Sequence, residues 1–160
     1  MSLIYSTENY FSTIKEFCNS STELVLFAPY IQRSSLEALL AEINKGVCST
    51  IITSWKPQDV ALGVSDIEVY NYCCERDITL LINNRIHLKT FIKNDFSKCI
   101  VSSSNISAAG LATKPFYNYE LGAIVDDLTL EHKLYFDMII EESDEVTQPY
   151  YEQVKEQSKD

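Results

Sequence analysis

The chain has 160 residues, a net charge of −10, 46% hydrophobic and 22% charged residues. That is the make-up of one globular domain burying roughly 70% of its unfolded surface. No apolar run reaches the ~20 residues of a membrane helix, and the opening MSLIYSTENY lacks the basic and hydrophobic regions of a signal peptide, so a soluble, cytosolic chain is expected.

Tyr10, Phe11, Ile14, Phe17 and Cys18 recur at helical spacing and predict an amphipathic helix over residues 7–19. ELVLFAPY (23–30) is a short apolar run suited to a buried strand that ends at Pro29. Ser34 and Glu37 have capping-box spacing for a helix presenting Leu36, Leu39, Leu40 and Ile43, stopped by Gly46. CSTIITSW (48–55) is the next strand, and KPQDVALGV (56–64) a loop. Ser65 and Glu68 suggest a second capping box, opening a helix with Ile67, Tyr70 and Cys74 inward. ITLLINN (78–84) completes an alternation of strand and helix, the pattern of an α/β domain with parallel crossovers.

RIHLKTFI (85–92), KCIVSS (98–103) and YELGAIV (119–125) are further strands, the first two separated only by the turn NDFS, so antiparallel pairing is expected there. LTLEHKLYFDMIIEE (128–142) is a helix with Leu130, Leu134 and Met138 four apart. The domain is expected over residues 1–142, with an acidic, partly flexible tail over 143–160.

The five cysteines show no CxxC pair and no zinc spacing, which fits reduced, mostly buried thiols; Cys99, in the apolar run KCIV, has no neighbour in sequence to activate it. Charge is unevenly spread. Residues 126–160 carry −8 of the total, whereas residues 85–114 hold Arg85, Lys89, Lys93, Lys98 and Lys114 against Asp95 alone. The acidic whole conceals a basic centre.

In that centre, side chains two apart share a strand face, so His87 and Lys89 point the same way. An imidazole beside an ammonium makes a poor core pair and a good anion site: the ring can attack or move a proton, and the cation can neutralise a phosphoryl oxygen. Ser103 and Asn105 can donate to the same oxygens. His132, between Glu131 and Lys133, reads as a solvated surface residue, and Ser102 and Ser104 as partners for backbone groups of the turn.

Three motifs in order, HLK (87–89), SSSN (102–105) and NYELG (118–122), resemble the phospholipase D superfamily signature, H-x-K-x4-D then G-S-x-N then a glutamate one strand later. The turn SSNISAAGL (103–111) is similar to the nuclease and restriction-endonuclease branch, and the resemblance covers residues 24–127. It implies a phospholipase D-like mixed β-sheet flanked by helices. It also implies a phosphodiesterase, in this branch a DNA nuclease of a restriction or defence system, that works through a phosphohistidine with neither metal nor cofactor. By resemblance His87 is nucleophile or acid; Lys89, Ser103 and Asn105 hold phosphate; and Glu120 orients an imidazole. Asn94 stands where the family has aspartate and Ser102 where it has glycine. The chemistry needs two histidines and this chain has one motif, so a homodimer with a shared site is expected, with any sequence specificity left to a partner protein. The competing readings are a catalytically weakened binding or assembly module and a lipid phosphatidyltransferase. The latter is disfavoured by the acidic tail, which anionic lipid repels.

Overall fold

The computed structural model describes residues 1–159. In chain order these form β1 (Ser2–Tyr5), α1 (Tyr10–Asn19), β2 (Leu24–Phe27), α2 (Arg33–Leu40), β3 (Cys48–Thr53), α3 (Pro57–Ala61), α4 (Val69–Glu75), β4 (Thr79–Ile82), β5 (Lys89–Lys93), β6 (Lys98–Ser102), β7 (Leu121–Val125), α5 (Leu130–Glu141), β8 (Asp144–Glu145) and α6 (Gln148–Gln157). All the strands join one sheet in the order β1-β7-β6-β5-β2-β3-β4-β8. β2, β3 and β4 are parallel, and every other neighbouring pair is antiparallel, including the β5–β6 hairpin. The expected mixed α/β sheet is present, and the change from parallel to antiparallel pairing falls where the long helices stop.

The two faces of the sheet are covered unequally. On one, Ile14, Leu24, Leu26, Leu36, Leu39, Ile51, Leu80, Phe91 and Ile100 join the larger core beneath α1, α2 and α4. On the other, Val25, Phe27, Ile52, Ile92 and Cys99 meet Phe136 and Ile139 of α5. The β1, β6 and β7 end of that second face is open, with Leu3 67%, Tyr5 60%, Val101 42% and Leu121 54% exposed. Leu3, Ala123 and Val101 follow one another across three strands by register, so the open part is a continuous row that ends at buried Thr90 of β5.

Several local expectations differ from what forms. β1 has a single buried residue, Ile4, and gives no periodic signal. α2 starts two residues early: Gln32 is its N-cap, and Glu37 pairs with Arg33 rather than capping. At α4 the acceptor is Asp66, whose carboxylate takes the N–H groups of Glu68 and Arg33. The Ser65 hydroxyl donates instead to the Ser54 carbonyl. Cys73 is buried there and Cys74 exposed, one position off the expected face. The segment 56–64 contains the short helix α3. Residues 143–159 do not trail from the domain: β8 extends the sheet beside β4, and α6 stacks Tyr151 on Tyr70 with ring centroids 5.0 Å apart. The Tyr151 hydroxyl reaches Glu68 and accepts from Asn71, and Trp55 packs near Tyr150. The acidity of this segment hides an aromatic face.

Candidate active site

Parallel strands deliver side chains to a common carboxyl edge, and loops leaving that edge form the usual ligand crevice of an open α/β sheet. Here β2 ends in Ala28-Pro29-Tyr30 and β3 in Ser54-Trp55-Lys56, while antiparallel β5 starts at the same edge. A small cleft at this edge is lined by Tyr30, Ser54, Lys56, Asp59, His87, Lys89 and Asn105, among others. His87, Lys89 and Asn105, eighteen positions apart in sequence at the extremes, therefore meet in space. His87 precedes β5 in an unpaired segment and is exposed; Lys89 opens the strand and is half-buried. His87 also lines an adjoining groove of about 390 Å³ with Arg85, Leu88, Tyr135, Met138 and Glu142.

Asn105 is held from three sides. The Tyr30 N–H donates to Asn105 Oδ1 at 3.2 Å, which leaves the amide NH2 to donate into the cleft. Ile106 N–H bonds the Tyr30 carbonyl and Gln32 N–H the Ile106 carbonyl, a bridge that docks the turn on the end of β2. Gly110 sits directly behind: a Cβ there would lie 2.5 Å from the Asn105 carbonyl oxygen. The glycine of SSNISAAGL is required for this close approach. Below the turn the buried hydroxyls of Tyr10 and Ser104 pair at 2.5 Å. Burial raises the Tyr10 phenol above its usual range, against the lowering pull of that bond, and it stays protonated.

Ser103 and Glu120 form a second group. The Ser103 hydroxyl donates to Glu120 Oε1 at 2.6 Å and accepts the Leu121 N–H at 3.0 Å. Asn118 Nδ2 donates to Glu120 Oε2 at 3.3 Å. Among the described residues no hydrogen bond joins Glu120 to His87, so within one chain the carboxylate braces Ser103. Its backbone is fixed by β1: Ser6 N–H donates to the Glu120 carbonyl, and Glu120 N–H to Ser6 Oγ.

The basic centre divides. Lys93 lies at the far end of β5, bonds Ser20 Oγ at 2.7 Å and stands 4.4 Å above the Phe17 ring. Desolvation, then Lys98, lowers its pKa. Arg85 pairs weakly with Glu142. Lys56 was missed by sequence reasoning although its position just after a parallel strand marks the ligand edge. Asn94 adopts φ 55° and its Oδ1 accepts both the N–H and hydroxyl of Thr22, at 2.8 and 3.0 Å. An aspartate oxygen would do the same, so Asn94 is a structural tie remote from the cleft. Ser102 Oγ accepts the Ser104 N–H as expected for the turn, whereas the Ser104 hydroxyl serves Tyr10. His132 does more than meet solvent: its Nδ1 accepts the Thr129 N–H at 3.0 Å and caps α5. Cys99 is buried and desolvation pushes its thiol up to about 11, unsuited to a nucleophile.

No family model and no curated protein matches this sequence. Solved structures match by shape. Phosphatidylserine synthase of Haemophilus influenzae Rd KW20 superimposes with a TM-score of 0.65 at 15% identity, over 98% of this chain and 42% of that one. TrmBL2, an archaeal chromatin protein with a novel mode of DNA binding, gives 0.55 at 16% identity, over 91% and 55%. Polyphosphate kinase from Porphyromonas gingivalis gives 0.59 at 14% identity, over 88% and 26%. The chain spans about half or less of each of these proteins. No helix among the described residues is long and apolar enough to cross a membrane. Identities this low are evidence of architecture alone, and the architecture is a phospholipase D-like fold.

Proposed function

We propose that this chain is a metal-independent phosphodiesterase acting on DNA, a nuclease whose active site is shared by a homodimer. The observation that carries the reading is the convergence of His87, Lys89 and Asn105 on one cleft from separate parts of the chain. The fold is consistent with phosphodiesterase-type chemistry. A neutral His87 ring nitrogen attacks phosphorus, and the P–O bond to the leaving group breaks as a second, protonated imidazole gives that oxygen its proton. Water then attacks phosphorus, passes its proton to the second ring and releases His87. Lys89 and the Asn105 amide offset the charge on the non-bridging oxygens. Glu120 is free to change partners and orient an imidazole only when substrate or a second chain displaces Ser103 or Asn118.

The second histidine comes from a second copy. α5 presents Leu130, Leu134, Tyr135 and Met138 to solvent at 48–71% exposure, beside the open row of Leu3, Tyr5, Val101 and Leu121. A two-fold axis along the boundary between ridge and open sheet would set each helix on the other's uncovered half. Leu88, next to His87, lines a groove with Tyr135 and Met138 of that ridge. An apolar surface of this extent is unusual for a monomer.

The test is cleavage of single- and double-stranded DNA in excess EDTA by the wild type and by His87→Ala. Cleavage that survives the chelator and disappears in the variant supports the reading; equal cleavage by both proteins refutes it. One observation favours a binding or assembly module instead, namely that both Glu120 oxygens are already occupied. Folded protein that cleaves no phosphodiester would establish that alternative.

A further inference from the structure

The loop of residues 113–119 joins the Asn105 turn to Glu120 and carries two aromatic rings in full solvent: Phe116 is 100% and Tyr119 99% exposed. Phe116 is also in the wrong conformation for its type. Its φ is +56°, directly after Pro115, the place in a turn that ordinarily selects glycine or asparagine. A bulky residue that is both strained and unburied is the kind of local conflict that accumulates at functional sites. The loop is also fixed in place. Thr113 N–H bonds the Ala108 carbonyl and Asn118 N–H the Ala109 carbonyl, each at 3.0 Å, and Asn118 Nδ2 holds Glu120. Its only charged side chain, Lys114, makes no ion pair among the described residues. Phe116 and Glu120 are four positions apart, at most about 14 Å of extended chain.

We propose that this loop is a stacking platform for an unpaired base, with Lys114 on the adjoining phosphate, so that the site takes single-stranded nucleic acid. The inference rests on the cleft being a phosphodiester site. A duplex keeps its base faces covered, whereas a single strand offers a ring face to any exposed aromatic beside a cation, largely independent of sequence. The polar surroundings of Phe116 (Thr113, Lys114 and Asn118) suit a nucleotide better than an apolar protein surface.

Binding of labelled single-stranded DNA, single-stranded RNA and duplex DNA by the full chain, followed by fluorescence anisotropy, tests this in wild type, Phe116→Gly, Phe116→Trp and His87→Ala. Stacking is worth enough per base to predict a roughly 5- to 100-fold loss of single-strand affinity in Phe116→Gly. Binding should be retained in Phe116→Trp, which keeps an aromatic face. Thermal stability should not fall in Phe116→Gly, because glycine is at ease at φ +56°. Unchanged single-strand affinity in Phe116→Gly, no preference of the wild type for single strands, or a change in sedimentation that makes the ring a contact between copies would each overturn the proposal. Should His87→Ala cleave like the wild type, the hydrolase reading falls, and the binding comparison still decides the platform.

Discussion

Gly110→Ala tests how the Asn105 turn is held, without altering any residue that faces the cleft. The new Cβ would stand 2.5 Å from the Asn105 carbonyl oxygen and 3.1 Å from its nitrogen, both backbone atoms. Tolerable contact begins at 3.0–3.4 Å, so the Asn105 backbone must withdraw by about 0.5–0.9 Å. Overpacking of this kind costs about 1–3 kcal/mol, which for a chain of this length is a fall in Tm of about 2–12 °C. The displacement is aimed at the amide proposed to hold phosphate, and misplacements near 1 Å can cost about 100-fold in rate. Turnover should therefore drop about 10- to 100-fold in a protein that remains folded at 25 °C. The Tyr30 amide, whose N–H donates to Asn105 Oδ1, gives a readout that does not depend on activity: its cross-peak in a 15N correlation spectrum should move. A variant with native Tm, native turnover and an unmoved Tyr30 amide would refute the close-approach argument.

Tyr10→Phe and Ser104→Ala should each lower stability by about 1–3 kcal/mol, because each strands a buried hydroxyl, while the double variant should lose less than the sum; additive urea midpoints would show that the two hydroxyls do not depend on each other. The Glu68 carboxyl is held below its usual range, first by the Tyr151 hydroxyl and then by Asn71. A depressed carboxylate contributes stability above its unfolded pKa of about 4.3 and loses it as pH falls through the folded value, so Glu68→Gln should flatten the acid limb of Tm against pH below about 4.3. Identical limbs would count against that tie between α4 and α6. On the proposed dimer, Leu134→Glu, on the solvent side of α5, should give a monomer by sedimentation and abolish the proposed cleavage, and a wild type that is already monomeric or a variant that stays dimeric would refute that interface.

The elements legible in advance were those whose burial is periodic. β2, β3 and β4 are apolar runs between helices, and the hairpin turn NDFS was legible from its turn-type residues; in the structure Asn94, Asp95 and Phe96 all take positive φ. That His87, Lys89 and Asn105 belong together was legible from the HLK and SSSN motifs, although His87 lies just before β5 and not on the strand that alternation suggested. What remained hidden depends on partners far along the chain. β1 hydrogen-bonds to β7, and its one buried side chain cannot reveal that. The stripe of Leu130, Leu134 and Met138 is regular but faces outward; Phe136 and Ile139 make the core contact. The Ser103–Glu120 bond crosses two strands and joins a hydroxyl that sequence reasoning had assigned to phosphate to a carboxylate it had assigned to an imidazole. Tyr151 lies in a segment whose charge outweighs its aromatic face in any average.

β1 and β7 close the outer margin of the sheet, and Ser6 is what fixes the Glu120 peptide. Those two strands come from opposite ends of the folding unit, so their pairing is the longest loop closure in the domain and is favoured to occur late. The His87, Lys89 and Asn105 cluster can assemble around β2 and β5 before that closure. The carboxylate cannot be set until it happens. A chain still emerging from the ribosome would thus bring His87, Lys89 and Asn105 together before Glu120 is fixed. The complete arrangement around the cleft would arrive only with the pairing of β1 and β7.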